Sequence, residues 1–332
     1  MISKSIHIIN KIKAADNLFD SYYILLRKII NMILYRNNKG SNFLDKEWDN
    51  LIILDGCRYD FFKNLYLKRK VKGTLHKMLS IGTHTIEFLL KSFRKKKYDD
   101  IVYLTSTPYV DMYCKTKVHK IISVWKNGWD PQYFTVLPET MYYYAIESLI
   151  NYPNKRLIIH FMQPHFPYIG YSRDDLKENF KENIKKKIQI NNQIDFYNTN
   201  FKKSLFSIYA IRLFRLLKND FQIKGYIKNL KLVLPFVEKL IEILPGTTVV
   251  TADHGEAFGD KIHTLLPIKF YGHDFNIRIP SLVNIPWLLI KSEEKDVKAK
   301  NELIKIKVER GKLNKAINKL LIKDKSQKRS KN

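Results

Sequence analysis

The run Val249-Val250-Thr251-Ala252-Asp253-His254-Gly255-Glu256 constrains this chain most, because a β-branched stretch stops abruptly on an acid, an imidazole and a glycine. Buried parallel strands read as near-continuous apolar runs. The residues just past their carboxyl ends stand on the rim of the sheet, where ligands bind. An Asp-His pair delivered there serves as two metal ligands, as a catalytic acid and base, or as an ordinary strand-to-loop turn. The rest of the chain has to supply partners before chemistry is favoured.

A second strand has the same design. Leu51-Ile52-Ile53-Leu54 is continuously apolar and ends in Asp55-Gly56, and a helix through Phe61, Phe62, Leu65 and Tyr66 is expected to follow. Further strands are expected at Ile101-Val102-Tyr103-Leu104-Thr105 and Arg156-Leu157-Ile158-Ile159-His160-Phe161. The latter runs into Met162-Gln163-Pro164-His165-Phe166-Pro167-Tyr168, where two prolines hold a histidine in a stiff loop. One helix begins near Pro138, and a second, over about residues 226–244 (Leu230, Leu234, Val237, Leu240, Ile241), leads through Pro245-Gly246 into the opening strand. Residues 279–290 supply one more strand. Strands alternating with helices predict an α/β three-layer sandwich, with a mainly parallel central sheet flanked by helices.

Around that core, residues 1–47 read as a helical extension, 48–290 as the main domain and 291–332 as a basic tail with an amphipathic piece at Leu313, Ile317, Leu320 and Leu321. The expected helix over residues 16–36 packs on the main domain or lies on a membrane surface. Residues 171–225, charged and polar and then apolar and basic, break the alternation and read as an insertion or cap.

The formal charge of +27 reflects either a general lysine bias or attraction to phosphorylated substrates, an anionic membrane face or nucleic acid. No nucleic-acid motif accompanies it, so no nucleic-acid partner is expected. Two cysteines, Cys57 and Cys114, are too few for a disulfide framework. No run approaches the roughly 20 apolar residues of a membrane-spanning helix. The first residues also lack a signal-peptide pattern, so a cytoplasmic location is expected, with peripheral membrane contact open.

Ser80-Ile81-Gly82-Thr83-His84-Thr85-Ile86-Glu87 reads as a loop feeding a helix N-terminus. A threonine there is either a cap or a nucleophile beside free backbone N–H groups. The rim then collects Asp55, Thr83, Thr85, His165, Asp253, His254 and His273. Oxygen and imidazole ligands suit one divalent Zn, Mn or Mg ion. Such an ion beside a threonine hydroxyl lowers its pKa, which threonine cannot otherwise manage near neutral pH.

These segments resemble the alkaline phosphatase superfamily, in its sulfatase-like branch, over roughly residues 48–290. The resemblance rests on Leu51 to Asp60, Ser80 to Thr85, His160 to Tyr168 and Thr251 to Glu256. It implies Asp55, Asp253 and His254 as metal ligands together with the nucleophile. Ser80 to Thr85 is similar to a segment of lipid A phosphoethanolamine transferases whose second threonine is the nucleophile, which implies Thr85. The lipoteichoic acid synthase pattern, a threonine followed four residues later by glutamate, would instead place the nucleophile on Thr83 with Glu87. His165 and His273 are implied as the residues that bind the phosphoryl group or protonate the leaving oxygen.

Departures narrow the reading. Thr85 lacks the segment that sulfatases convert to formylglycine, and Cys57 lies on another segment. Gln163-Pro164-His165 lacks the Asp that the two-metal branch places ahead of its His, so one metal is expected rather than two. The expectation is therefore a metal-dependent hydrolase or transferase acting on a phosphate ester of a small molecule, glycan or lipid. The alternatives are a sulfate-ester hydrolase or a non-catalytic member that binds anions or glycans.

Overall fold

The computed structural model describes residue 29 and residues 39–69, 73–94, 96–170, 219–263 and 266–292. Most of the expected helix over 16–36, residues 171–218 of the expected insertion and the tail beyond 292 lie outside the described residues.

The chain alternates as the pattern predicts. β1 (Asn50–Leu54), α1 (Tyr59–Tyr66), β2 (Thr74–Leu79), α2 (Thr85–Ser92), β3 (Tyr98–Thr105), α3 (Tyr109–Cys114), β4 (Val118–Ser123) and α4 (Val124–Asn127) come first. β5 (Trp129–Asp130), β6 (Thr135–Val136), α5 (Pro138–Asn151) and β7 (Arg156–Phe161) follow. The last elements are α6 (Asn219–Ile243), β8 (Gly246–Thr251), β9 (Ala257–His263), β10 (Leu266–Gly272), α7 (Pro280–Val283) and β11 (Asn284–Ser292).

Seven strands form the central sheet in the order β2-β11-β8-β1-β7-β3-β4. β8, β1, β7, β3 and β4 run parallel, whereas β11 is antiparallel to both of its neighbours. The central strands are apolar at almost every position because both faces are covered. Ile52, Leu54, Val102, Leu104, Leu157, Ile159, Phe161 and Val250 pack on one side with Ala145 and Ile146 of α5 and Leu230, Leu234 and Val237 of α6. Leu51, Ile53, Ile101, Tyr103, Ile158 and Val249 pack on the other with Phe88 and Leu89 of α2 and Val110 of α3. Leu51, Ile52, Ile53 and Leu54 are fully buried. At about 1.5–3 kcal/mol for each side chain removed from water, β1 is a rigid base for whatever its end presents. The three-layer α/β architecture is the expected one.

The expected helix at 226–244 is already formed at Asn219, the first described residue of this stretch, about two turns earlier, and Phe221 and Gln222 continue its buried face. Among the described residues, no helix is long and apolar enough to cross a membrane.

Candidate active site and metal centre

Three neighbouring strands, β8, β1 and β7, deliver the site from their carboxyl ends. Asp55 follows β1, His165 stands four residues past the end of β7, and Asp253 and His254 follow β8. Thr85, the first residue of α2, comes from beyond the carboxyl end of β2, which runs parallel to β8 because β11 is antiparallel to both.

Backbone bonds fix these turns. The Gly56 N–H donates to Asp253 Oδ1 at 3.0 Å, and the His254 N–H donates to the same oxygen at 2.9 Å. Gly56 takes φ +66°, a left-handed conformation that side chains disfavour, so the chain reverses there without strain. The N-terminal half of α6 ties down both neighbouring loops. Its Tyr226 hydroxyl donates to the Gly56 carbonyl at 2.8 Å and accepts from the Arg58 N–H at 2.9 Å. Its buried Asn229 donates to the carbonyls of His165 and Pro167, each at 3.0 Å, and accepts from the Ile169 N–H at 2.8 Å. The loop before α2 is held by Ser80, whose hydroxyl bonds the Asp253 carbonyl, and by Arg278, which donates to the carbonyls of Ser80 and Ile81.

The geometry at the centre argues for a cation. His254 Nδ1 lies 2.7 Å from the Gly255 carbonyl, an acceptor, so the ring proton is on Nδ1 and Nε2 presents a lone pair. That lone pair faces Thr85 Oγ1 at 3.2 Å, Asp253 Oδ2 at 3.4 Å and Asp55 Oδ1 at 3.6 Å. Among the described residues, neither Asp55 Oδ1 nor Asp253 Oδ2 has a hydrogen-bond donor, although both are buried. Buried acceptors turned on one another without a donor repel, and a metal ion relieves the repulsion. A tetrahedral ion with bonds of about 2.1 Å spaces its ligand atoms about 3.4 Å apart, so the donor set fits a Zn-sized ion.

Without that ion the two acids share the strain unequally. Burial pushes Asp55 well above the usual carboxylate range, and the charges of Asp253 and Glu256 push it further. Burial acts the same way on Asp253, yet His254 and His160 outweigh it and hold that carboxyl below its ordinary value.

A second group lies beside the first. His273, just past β10, has Nδ1 3.0 Å from Glu256 Oε2, and His165 Nε2 is 3.8 Å from the same oxygen. The His273 and His254 ring centres are 4.4 Å apart. These three residues, His165, Glu256 and His273, also form a potential ligand set. Burial and the neighbouring His273 lower His165 to about 4, burial and His254 hold His273 well below its ordinary value, and burial raises Glu256 to about 7. The imidazoles are therefore neutral near pH 7, with their lone pairs available.

Of the two threonines, only Thr85 meets the centre. Thr83 Oγ1 lies 2.7 Å from both Glu87 Oε2 and the Asp274 carbonyl, two acceptors competing for its one proton. Thr83 thus ties two loops together, and Glu87, which also accepts from Lys91, is the knot. Two histidines beyond the rim residues expected from the sequence join the site. His84 caps α2 through Nδ1 and stacks on Phe275, and His160 stands below the two acids on β7. A histidine inside an otherwise apolar strand is the signal that marks His160. Cys57 is buried in the core, packed with the α5 and α6 face rather than with the site.

No protein-family model matches the chain, and no curated protein matches it. Solved structures do. The soluble domain of lipooligosaccharide phosphoethanolamine transferase A from Neisseria meningitidis is similar at 15% identity and TM-score 0.44, over 73% of this chain and 75% of that one. The C-terminal periplasmic domain of EcEptC from Escherichia coli, in complex with Zn, is similar at 15% and 0.44, over 76% of each chain. A protein in the alkaline phosphatase superfamily from Vibrio parahaemolyticus matches at 14% and 0.40, over 75% of this chain and 61% of that one. The superfamily expected from the motifs is the one named among these neighbours. The chemistry of the site is read from this chain's own residues. One expectation is corrected: with a periplasmic domain among the matches, the cytoplasmic location does not stand. A missing leader pattern is no physical ground for the cytoplasm.

Proposed function

We propose that the chain is a metal-dependent enzyme that hydrolyses or transfers a phosphate ester, with Thr85 as nucleophile. One observation carries the reading. Thr85 Oγ1, His254 Nε2, Asp253 Oδ2 and Asp55 Oδ1 converge in a buried space, and the two carboxylate oxygens have no donor to satisfy them among the described residues. A divalent ion bound by these residues supplies positive charge that favours the deprotonated threonine and steadies the phosphoryl oxygens. Zn, Mn and Mg are the ions such ligands take.

The reaction balances through the residues present. Thr85 Oγ, whose proton would pass to solvent water as the ion binds, forms a bond to phosphorus as the bond from phosphorus to the leaving oxygen breaks, which gives a phosphothreonine intermediate. Water or an acceptor hydroxyl then attacks phosphorus and releases Thr85. His165 and His273 flank the centre, where they can contact phosphoryl oxygens. The negative charge of the bound group favours their protonated form, from which the leaving oxygen takes its proton. Position at the N-terminus of α2 also favours a bound anion through the helix dipole. The substrate class is an anionic phosphate-containing small molecule, glycan or lipid.

The test is a panel of phosphomonoesters, phosphodiesters and sulfate esters assayed with each of the three metals. With a hydrolysed phosphate ester in hand, Thr85→Ala should abolish turnover and leave the circular dichroism spectrum unchanged. Acid-quenched wild type should carry the phospho group on the peptide containing Thr85. A folded Thr85→Ala protein with full activity would show that the nucleophile lies elsewhere.

A further inference from the structure

Beneath Asp55 and Asp253 lies a histidine that the proposed reaction does not use. His160 is completely buried in β7, in a strand where Leu157, Ile158, Ile159 and Phe161 are apolar and equally buried. Its Nε2 stands 3.9 Å from Asp55 Oδ2 and 3.9 Å from Asp253 Oδ2, and has no hydrogen-bond partner among the described residues. Its Nδ1 lies 3.0 Å from the hydroxyl of Tyr103, a fully buried residue of the neighbouring β3.

The tyrosine decides which way the imidazole presents its proton. A phenol carries one proton, and burial pushes the Tyr103 hydroxyl well above its ordinary pKa, so it stays protonated. Nδ1 is the one hydrogen-bond partner of this buried hydroxyl among the described residues, so its proton is satisfied only when Tyr103 donates and Nδ1 accepts. The N–H of the neutral ring is then on Nε2, aimed between two carboxylates. A gap of 3.9 Å is too long for a hydrogen bond and too short to admit a bridging water. A side-chain shift of about 1 Å closes it directly. The division of labour is clearest at Asp55, where Oδ1 faces His254 Nε2 at 3.6 Å and Oδ2 faces His160.

We infer that His160, oriented by the Tyr103 hydroxyl, is a positioning residue of the metal centre: its Nε2–H holds the two acids from below so that they present Asp55 Oδ1 and Asp253 Oδ2 to the ion. The inference rests on the metal-centre reading under Proposed function. Without the N–H the acids lose a shared donor, and binding of the ion must then order two like charges that no longer have it between them.

The decisive quantity is zinc affinity of the metal-stripped chain, read by competition with a chromophoric chelator, with no turnover involved. Replacing a hydrogen-bond partner of metal ligands costs roughly 10–100-fold in affinity, the loss expected for His160→Leu. Tyr103→Phe, which frees the ring to place its proton on either nitrogen, should lose less but measurably. His160→Gln, with an amide N–H near the Nε2 position, should recover most of the wild-type affinity. Urea midpoints of the metal-free proteins accompany each measurement, because a packing role would lower stability in all variants and leave affinity alone. Folded His160→Leu and Tyr103→Phe proteins whose Kd for Zn²⁺ stays within about twofold of wild type would overturn the inference. Should His160→Leu fail to fold, Tyr103→Phe decides alone on the same criterion. If wild type binds no zinc, the metal-centre reading fails as well; if wild type binds and the variants bind alike, only the role of His160 fails.

Discussion

Replacing Glu87 with glutamine keeps the shape of the side chain and removes its charge at the point where two loops of the candidate site are tied. Glu87 is 4% exposed, and its Oε2 accepts from the Thr83 N–H at 3.0 Å, the Thr83 hydroxyl at 2.7 Å and the Asn276 N–H at 3.2 Å. Its other oxygen takes Lys91, which is 40% exposed. Hydrogen bonds to a charged acceptor contribute about 1.5–3 kcal/mol each and neutral ones about 0.5–1.5, so three bonds lose about 3 kcal/mol when the charge goes. Sharing of the Thr83 proton with the Asp274 carbonyl lowers the figure toward ~2 kcal/mol, and the solvent-screened Lys91 pair adds at most about 0.5. Burial pushes the Glu87 carboxyl up, but the bonds from Lys91 and Thr83 overcome it and leave the group below its ordinary 4.5. A carboxylate depressed in the folded state contributes stability that is complete above the unfolded value and is lost as pH falls through the folded one. Urea unfolding of wild type and Glu87→Gln should therefore differ by about 2–3 kcal/mol at pH 7, with the gap shrinking as pH falls below about 4.5. A gap under about 0.5 kcal/mol at pH 7, or one that does not change with pH, would refute the charged knot.

Two further outcomes follow from the same geometry. Burial raises Glu256 to about 7, so the folded metal-free chain holds a proton that the unfolded chain releases from 4.5 upward. Stability of that form should fall by about 3 kcal/mol as pH rises from 4.5 through 7, and Glu256→Gln should remove this slope; parallel pH profiles of the two urea midpoints would contradict it. A Cβ at Gly255 would lie 2.1 Å from the Ser281 carbonyl oxygen, so Gly255→Ala should force the His254 loop away from α7. A loss of at least about 1–3 kcal/mol is expected, read as a lower melting temperature, and an unchanged melting temperature would show that the loop has room.

How far the sequence disclosed this molecule depended on how local the cause was. β1, β7 and β8 are legible because burial on both faces leaves few polar positions, and the acids that follow β1 and β8 are conspicuous for that reason. β2 is not legible, since most of its residues are exposed and Lys77 and His76 interrupt any pattern; it pairs only because β11 offers its edge. β4 carries His119 and Lys120 on its exposed stretch and hides equally well. In the site, Asp55, Asp253 and His254 follow from strand-end position. The distinction between Thr83 and Thr85 does not, because both threonines sit in the same loop and, besides the local Glu87 partner of Thr83, the atoms their hydroxyls meet come from residues about 170 to 190 positions away. Asn229 and Tyr226 of α6, which fasten the loops of β7 and β1, are polar residues on a helix face otherwise read as core. Contacts between distant elements leave no spacing in the sequence to read.

The metal centre itself is tested most directly by anomalous diffraction from crystals of the chain grown with zinc, collected on both sides of the zinc absorption edge. The expected result is a peak enclosed by Asp55 Oδ1, Thr85 Oγ1, Asp253 Oδ2 and His254 Nε2, absent from Asp253→Asn crystals grown alike. Zinc found only on surface histidines or acids, with no density among these four atoms, would contradict the assignment.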